Sequence, residues 1–542
     1  MSTMATDGDV NEIARQKLDA KILDLRLQIA ALSLTRNSLA PISRLPAELL
    51  TIIWVYARNF SPVSSKSKMA MVISWVSSDW RRISLDWSWL WSEIDLHHAK
   101  GINVFLARSR QAPLTLKLRG SMVMDATIFQ HFPRLHDLEF TFPRDDSDDT
   151  RVVNIRECWS SPSPFLKFLS LSRTTVPPTL FTHPPPLQSL TLRNCRFDAL
   201  PPLSGVTTLC ISRPLQLMPV VNVLGTLQQL PNLVELTLDH VFFHSLIQQP
   251  FTFPGPAVQL SKLQVLNIAE QHRNPIPYLF QNVSIPGNTD AVFTISLDML
   301  NFDLLGLLRS YHACRISPSP IHTLAVMKGR RTSEVKLLEQ GPDSFGSITV
   351  SLSNTFHDNP FQQCSTLNLS SLQMLDLTLS ERTGRLRNGE MHEVWNSCYG
   401  DLPNLRIVKA SGYAAYTFLS LLAKEGHDAW NSYRELLPSS RQPQPITGDL
   451  EDDSSTSEQS SATQRRKQLL WKALRELILV FPTDDEPLFR ETIDERHVII
   501  DMLIRKEAGI AVTHIQYLDW PMSDGFLDRL KAVVGEVTEL EP

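Results

Sequence analysis

The fold class is decided by the stretch Leu187-Gln188-Ser189-Leu190-Thr191-Leu192, whose three leucines follow a spacing that recurs along the chain. The spacing is an apolar residue, two residues, an apolar residue, one residue and an apolar residue. Four more segments have leucine at all three positions: Leu166-Leu169-Leu171, Leu233-Leu236-Leu238, Leu372-Leu375-Leu377 and Leu474-Leu477-Leu479. Leucine is about one residue in seven, so chance alone predicts roughly one or two such triplets. The excess indicates a repeated structural unit.

Looser triplets with other apolar residues fill the gaps, among them Val292-Ile295-Leu297, Ile321-Leu324-Val326, Phe345-Ile348-Val350 and Ile515-Leu518-Trp520. Successive triplets between Leu135 and Leu405 start 19 to 33 residues apart. This pattern resembles the strand signature of leucine-rich repeats, in which each repeat of about 20–29 residues adds one short strand to a parallel stack. The Asn or Cys that usually follows the strand appears cleanly once, in Arg193-Asn194-Cys195.

Helical patterns lie between the triplets, at 220–230, 302–311, 416–425 and 498–506. Strands that alternate with helices predict a parallel sheet with helices on one side. We therefore expect an α/β fold, in which an irregular leucine-rich-repeat-like solenoid covers residues 93–542. The segment 526–537 has the pattern of an amphipathic helix, which would cap the last open face of the solenoid. Such a solenoid exposes a long strand face that suits protein recognition.

A second pattern lies near the N-terminus, in Ile42-Ser43-Arg44-Leu45-Pro46-Ala47-Glu48-Leu49-Leu50 and, further on, Val76-Ser77-Ser78-Asp79-Trp80-Arg81. Pro46 suits the first turn of a helix, and Glu48 would lie near the positive end of its dipole. Leu49, Leu50, Ile53 and Ala57 recur at helical spacing, and a second helix is predicted through Val72, Val76, Trp80 and Ile83. About fifty residues cannot bury all of this apolar surface alone.

The two halves together resemble an F-box, over residues 42 to 91. The resemblance implies docking on the Skp-type adaptor of a cullin–RING ubiquitin ligase, through Leu45, Pro46, Leu49, Leu50, Ile53, Val76 and Trp80. The family often has Cys after the Val, whereas this chain has Ser77. The alternative is an ordinary helical cap on the repeats, with these side chains packed inward. The whole layout is similar to large F-box families of mushroom-forming fungi.

Residues 10–34 predict a helix, in which Leu18, Ile22, Leu25, Ile29 and Leu32 are spaced by four and three residues. Two alternatives remain open for it: a short coiled coil, or a single helix that packs on the F-box-like segment. The three expected domains are therefore the helix at 1–37, the F-box-like segment at 38–92 and the repeats at 93–542. An acidic, Ser-rich insertion at 438–466 interrupts the repeats, and its composition predicts disorder.

Composition limits the functional classes. The chain has 542 residues, 42% hydrophobic residues and a formal net charge of −5, which gives no basic excess for nucleic acid or an anionic membrane. The six cysteines form no CxxC-type pair, and no motif typical of nucleotide, metal or nucleophilic enzymes occurs. We expect no cofactor, no metal and no catalysis by the chain itself. Unpaired thiols favour the cytosol or the nucleus.

Two functional hypotheses follow. The first is a substrate-recognition subunit of an SCF-type ubiquitin ligase, with the adaptor and its cullin at one end and an unknown protein substrate on the repeats. The second is an adaptor-independent repeat scaffold, in which the helical segment only caps the solenoid. Capture of a Skp-type adaptor would distinguish them.

Overall fold

The apolar triplets form short strands, and the segments between them form helices. The computed structural model describes residues 7–60, 66–96, 101–119, 128, 130–141, 163–176, 185–197, 200, 203–243, 253–270, 275–296, 303–329, 332–340, 345–353, 360–364, 367–379, 395, 399–436, 471–481, 495–519 and 524–540. The predicted insertion at 438–466 lies outside these residues. The chain divides into two units, Met1–Phe197 and Asp198–Pro542. Both are mixed α/β, with mostly parallel strands.

The first unit begins with helices and continues as a parallel sheet. Its helices are α1 (Asp7–Ser38), α2 (Ala47–Phe60), α3 (Lys66–Trp75), α4 (Ser78–Asp86) and α5 (Ile102–Arg108), with 3₁₀ turns at Pro41–Arg44, Ser88–Trp91 and Phe132–Arg134. Its strands are β1 (Glu93–Leu96), β2 (Leu114–Arg119), β3 (Leu135–Thr141), β4 (Phe168–Ser172) and β5 (Ser189–Arg193). Ile94, Leu116, Leu138, Leu169 and Leu190 occupy one row across the five strands. All five are buried, so the row forms the core under the sheet.

The domain boundary expected at 92 does not separate two units in the structure. Helix α3 is tied to β1, because the Lys66 Nζ lies 2.7 Å from the Glu93 Oε1. The Ser67 hydroxyl donates to the Glu93 carbonyl, and the Asp95 amide donates to the Ser67 oxygen at 2.7 Å. The helical segment therefore belongs to the same unit as the first five strands.

The second unit contains the remaining elements. Its helices are α6 (Val220–Gln228), α7 (Pro275–Gln281), α8 (Leu304–Ala313), α9 (Pro360–Cys364), α10 (Tyr413–Leu436), α11 (Glu495–Glu507) and α12 (Asp524–Val533). Its strands are β6 (Thr208–Ser212), β7 (Glu235–Asp239), β8 (Val258–Gln259), β9 (Val265–Glu270), β10 (Val283–Pro286), β11 (Asp290–Ser296), β12 (Arg315–Ile316), β13 (Ile321–Lys328), β14 (Thr332–Gln340), β15 (Phe345–Ser353), β16 (Met374–Leu379), β17 (Ile407–Gly412), β18 (Glu476–Val480), β19 (His514–Leu518) and β20 (Glu536–Glu539). Strands β8, β10 and β12 form a small parallel sheet of their own.

The main sheet of this unit departs from the expected parallel order in one place. Strands β6, β7, β9 and β11 are parallel neighbours, and β16 to β20 are parallel neighbours in sequence order. Between the two groups, β14 is antiparallel to both β13 and β15. Strand β15 lies beside β11, and β13 lies beside β16. The apolar template did not predict β14, because its apolar residues Val335, Leu337 and Leu338 do not follow the triplet spacing.

Two looser triplets were aligned in the wrong register. Val292 was predicted as buried but is 39% exposed, because Ala291 and Phe293 continue the buried rows of β9. In β19 the Cα of Ile515 and that of Tyr517 lie opposite Leu477 and Leu479, so Leu518 is not the inward residue of its triplet. Both segments have apolar residues on both faces, so the spacing alone could not fix which face is buried.

Helix positions were predicted better than helix ends. The patterns at 220–230, 302–311 and 498–506 correspond to α6, α8 and α11, whereas α10 runs further than 416–425. The C-terminal helix ends at Val533, and β20 follows it, so it does not close the chain as a final cap. Strand β2 was missed because Pro113 occupies the first position of its triplet.

Helix α1 has little support from the rest of its unit. All side chains from 11 to 32 are exposed. The alternative that this stretch packs on the F-box-like segment is therefore wrong for this conformation. Among the helices in the described residues, none combines the length and apolar character that a bilayer crossing requires.

A left-handed residue follows several strands at the same position. Two residues after the last buried position of β4, β5, β6, β7 and β19, the backbone φ lies between 46° and 60°. The residues there are Arg173, Asn194, Arg213, His240 and Asp519. The turn is the same although the side chain changes, so only the Asn194 example was visible in the sequence.

We expect Arg173→Asn to stabilise the first unit by about 1 kcal/mol, because Asn tolerates the left-handed region better than Arg. The reverse change, Asn194→Arg, is the matched control and should lower stability by a similar amount. Urea unfolding midpoints of the two variants would check this. Equal shifts in the same direction would contradict the explanation.

Candidate functional site

The helical segment, from α2 to the 3₁₀ turn Ser88–Trp91, has its own small core. Trp54 of α2 is 1% exposed and lies with its ring centroid 5.2 Å from that of Trp80 and 6.4 Å from that of Trp87. Leu50, one turn before Trp54, is 3% exposed. Trp91 is fully buried, and its indole Nε1 donates to the Ser84 carbonyl at 2.6 Å. These rings hold α2 and α4 against the 3₁₀ turn before β1.

The helix predicted through Val72, Val76, Trp80 and Ile83 is two helices. Helix α3 ends at Trp75, and α4 begins after Ser77. Ser77 is extended and accepts a hydrogen bond on its side-chain oxygen from the Trp80 amide at 3.2 Å. Serine is a preferred N-cap, so this residue starts a new helix and turns the chain. Ser77 therefore has a structural role as the N-cap of α4.

The seven predicted adaptor-binding residues have different exposures. Leu49, Ile53 and Val76 are 47%, 41% and 52% exposed, and Pro46 is also exposed. Leu45 and Trp80 are half-buried. Leu50 is buried against its own chain, so it supports α2 from inside and presents no surface to a partner. The sequence could not separate Leu49 from Leu50 because α2 is apolar on two faces.

The structure adds exposed residues that the sequence analysis did not single out. On α2 the outward residues recur at intervals of three and four, and we call Leu49, Ile52, Ile53, Tyr56 and Phe60 the α2 face. Phe60 is 85% exposed, and its ring stacks on that of Tyr56 with centroids 6.4 Å apart. At the end of α3, Val72, Trp75 and Val76 form the α3 face, of which Trp75 is 67% exposed. The helical spacing from Leu49 to Phe60 was the signal that could have found the α2 face.

Ion pairs of the Glu93 carboxylate fix the C-terminal half of α2. Glu93 receives Lys66 on one carboxylate oxygen, and the Arg58 Nε lies 3.8 Å from the other. The Arg58 guanidinium also donates to the Trp89 carbonyl at 3.0 Å. These contacts anchor the C-terminal half of α2, so the α2 face is presented from a rigid helix.

One polar cluster in the second unit contains the residue types of a catalytic triad but not its order. The Ser212 hydroxyl donates to the Asp239 Oδ2 at 2.5 Å, and the His240 Nδ1 contacts the Asp239 Oδ1. Burial raises the pKa of Asp239, but hydrogen bonds from Ser212 and His240 and the charge of Arg213 outweigh burial and place that pKa below its ordinary value. The carboxylate lies between Ser212 and His240, so the imidazole is not placed to take the serine proton.

Three buried cysteines are poor nucleophiles, and the described residues contain no grouped metal ligands. Burial raises the pKa of the Cys195 thiol to about 11 and those of Cys314 and Cys364 to about 12. These thiols are protonated at neutral pH and are therefore weak nucleophiles. Within the described parts of the chain, no three His, Cys, Asp or Glu residues are grouped to hold a metal ion.

The strongest candidate site is therefore an interaction surface, made of the α2 face and the α3 face. In comparisons with known proteins, no protein-family model and no curated protein matches this chain.

Proposed function

We propose that this chain is the substrate-recognition subunit of an SCF-type cullin–RING ubiquitin ligase, and that the α2 and α3 faces bind a Skp-type adaptor. The observation that supports this most is the exposure of the α2 face on a helix whose opposite side already has a core. Large apolar side chains grouped at the surface of a folded unit are typical of a protein-binding site. An ordinary cap on the repeats would instead have covered them.

The proposal includes the fold of the strand regions, which we take to be leucine-rich-repeat-like solenoid segments. In-register parallel strands with buried leucines support this, as does the recurring left-handed turn after the strands. The insertion of β14 makes the second segment irregular. Residues between the buried leucines, such as Thr191, Thr237 and Asp376, are partly exposed and would contribute to binding of a protein substrate.

On this proposal the chain performs no chemistry of its own. It raises the effective concentration of its substrate near the enzyme that transfers ubiquitin, through the adaptor and a cullin. It would act in the cytosol or the nucleus. The competing hypothesis, an adaptor-independent scaffold, requires that the α2 face bind nothing of the adaptor class.

A capture experiment tests the proposal. Full-length chain is co-expressed with a tagged Skp-type adaptor, and the double variant Leu49→Glu with Ile53→Glu is compared with wild type. We expect adaptor capture to fall more than about 100-fold, because two carboxylates would have to be buried at the interface. Both side chains are exposed in the free chain, so folding should be retained, which circular dichroism would check.

The matched control is Phe243→Glu, which changes an apolar side chain that is 57% exposed in the second unit. We expect it to capture adaptor as well as wild type does. If the wild-type chain captures no Skp-type adaptor, the ligase proposal fails and the scaffold hypothesis is favoured. If the double variant still captures adaptor, the α2 face is not the docking surface.

A further inference from the structure

Helix α1 exposes a large apolar surface that its own unit does not cover. It has 32 residues, and the side chains from 11 to 32 are exposed. Nine large apolar side chains are among its exposed residues: Ile13, Leu18, Ile22, Leu23, Leu25, Leu27, Ile29, Leu32 and Leu34. Helices in proteins gain most of their stability from packing of an apolar face. Helix α1 therefore requires a partner that covers it.

The apolar residues of α1 form two stripes on opposite sides. The first stripe is Leu18, Ile22, Leu25, Ile29 and Leu32, spaced four, three, four and three residues apart. The second stripe is Ala20, Leu23, Leu27, Ala30 and Leu34, in which two positions are alanine. The first stripe has a large side chain at every position of a heptad seam. It therefore offers the better knobs-into-holes surface.

The heptad assignment points to pairing of two strands. In the first stripe, Ile22 and Ile29 occupy the a positions, and Leu18, Leu25 and Leu32 occupy the d positions. In parallel coiled coils, isoleucine at a with leucine at d favours two strands. In an antiparallel pair, the same arrangement packs each isoleucine of one helix against a leucine of the other. The seam spans 15 residues, or about 22 Å, so the resulting association should be weak.

The charges beside the seam decide the orientation. In a parallel pair of identical helices, Lys21 would lie beside the partner's Arg26, and Arg15 and Arg36 at a positions would each face their own copies. In an antiparallel pair centred between Ile22 and Leu25, Asp19 lies beside the partner's Arg26, and the symmetry makes this contact twice. Symmetry also makes the Lys21–Arg26 contact of the parallel pair twice, so the antiparallel arrangement replaces four repulsive pairings with two attractive ones.

We propose that α1 pairs with α1 of a second copy of this chain as an antiparallel coiled coil along the part of the seam from Leu18 to Ile29. Leu18 of each helix packs on the partner's Ile29, and Ile22 packs on the partner's Leu25. The interface is isologous, because the same stripe serves both copies. This self-association does not depend on adaptor binding, since it uses α1 and not the α2 face. The chain would then present two substrate-binding regions in one assembly.

Sedimentation equilibrium of the full-length chain tests the seam. We expect a reversible wild-type dimer, and Leu25→Glu should weaken dimerisation by at least about 100-fold because a carboxylate would be buried. Leu27→Glu is the matched control on the second stripe and should change the dimer constant less than about twofold. A monomeric wild type, a larger oligomer, or a loss caused by Leu27→Glu alone would overturn the proposal.

Charge reversal tests the orientation. In the antiparallel pair, Arg26→Asp places a carboxylate beside the partner's Asp19 and should weaken the dimer by roughly fivefold. In a parallel pair the same change would place it beside the partner's Lys21 and strengthen the dimer. The double reversal, Asp19→Arg with Arg26→Asp, should restore wild-type affinity. A strengthened Arg26→Asp dimer, or no recovery in the double variant, would overturn the antiparallel assignment.

Discussion

Replacing Trp54 with alanine is expected to lower the free energy of unfolding of the helical segment by about 3–5 kcal/mol. The indole is 1% exposed and contacts the rings of Trp80 and Trp87, so its loss opens a cavity between α2, α4 and the following turn. Leu50 lies on the same inner face of α2 and cannot fill that space. Hydrogen exchange of the amides in α2 to α4 would measure the effect locally.

Two control substitutions separate burial from the chemistry of the indole. The Trp54 Nε1 has no hydrogen-bond acceptor within the described residues, so Trp54→Phe loses volume without losing a bond and should cost about 1–2 kcal/mol. Trp89 is 54% exposed, and Trp89→Ala should change stability by less than about 0.5 kcal/mol. If Trp54→Ala were no worse than Trp89→Ala, Trp54 could not be the centre of this core.

The second large effect is expected for Arg315→Met. The side chains of Arg315 and Glu339 are both fully buried and form an ion pair, and the guanidinium carbon lies 5.3 Å from the centroid of the Tyr311 ring. Removing the arginine leaves a buried carboxylate without its counter-ion. Such a change costs about 3–5 kcal/mol at neutral pH. Urea unfolding of the full chain, followed by fluorescence, would measure it.

The pH dependence of Arg315→Met follows from Glu339. Burial raises the pKa of Glu339 above its ordinary value even though Arg315 opposes the change. Without Arg315 that pKa rises further, so the ionised carboxylate destabilises the fold above the unfolded-state pKa of Glu. Acidification through the raised pKa protonates Glu339 in the folded chain and removes the penalty. The deficit relative to wild type should therefore shrink as the pH falls.

The double variant Arg315→Met with Glu339→Gln provides the control. It removes both charges, so it should recover most of the lost stability at neutral pH and lose the pH dependence. A double variant as unstable as Arg315→Met would show that the arginine acts through packing on Tyr311 and not through the ion pair.

The strands could be predicted from the sequence because their leucines are both apolar, which marks the buried face, and regularly spaced, which marks the strand. All fifteen leucines of the five strict triplets are buried, including Leu187, Leu190 and Leu192. The registers of β11 and β19 failed where apolar residues occupy both faces, since Val292 and Phe293 are equally acceptable to a pattern. The antiparallel β14 carries no triplet, so its pairing is a tertiary property that local spacing does not encode.

The candidate site was predicted in part, for a related physical reason. Helical periodicity placed Leu49 and Ile53 on one face of α2, and both are exposed in the structure. It could not assign Leu50, because Trp54 makes a second apolar face one turn further on. The capping role of Ser77 depends on the extended backbone of that residue, which the sequence shows only as a serine before an acidic turn. Their roles in adaptor capture stay predictions.

The pairing of β15 with β11 and of β13 with β16 has an evolutionary consequence. Where each strand touches only the strands before and after it in sequence, a repeat can be duplicated or deleted and the neighbours simply close up. Between Asp290 and Leu379 the strands instead depart from sequence order in the sheet. Strand β13 lies three positions from β11, β14 and β15 fill the two positions between them in reverse order, and β16 lies on the other side of β13. Unequal recombination inside this stretch would leave a β-strand edge without a hydrogen-bonded neighbour. On the proposed repeat fold, the number of strand–helix units should therefore be constant in this stretch and variable only outside it.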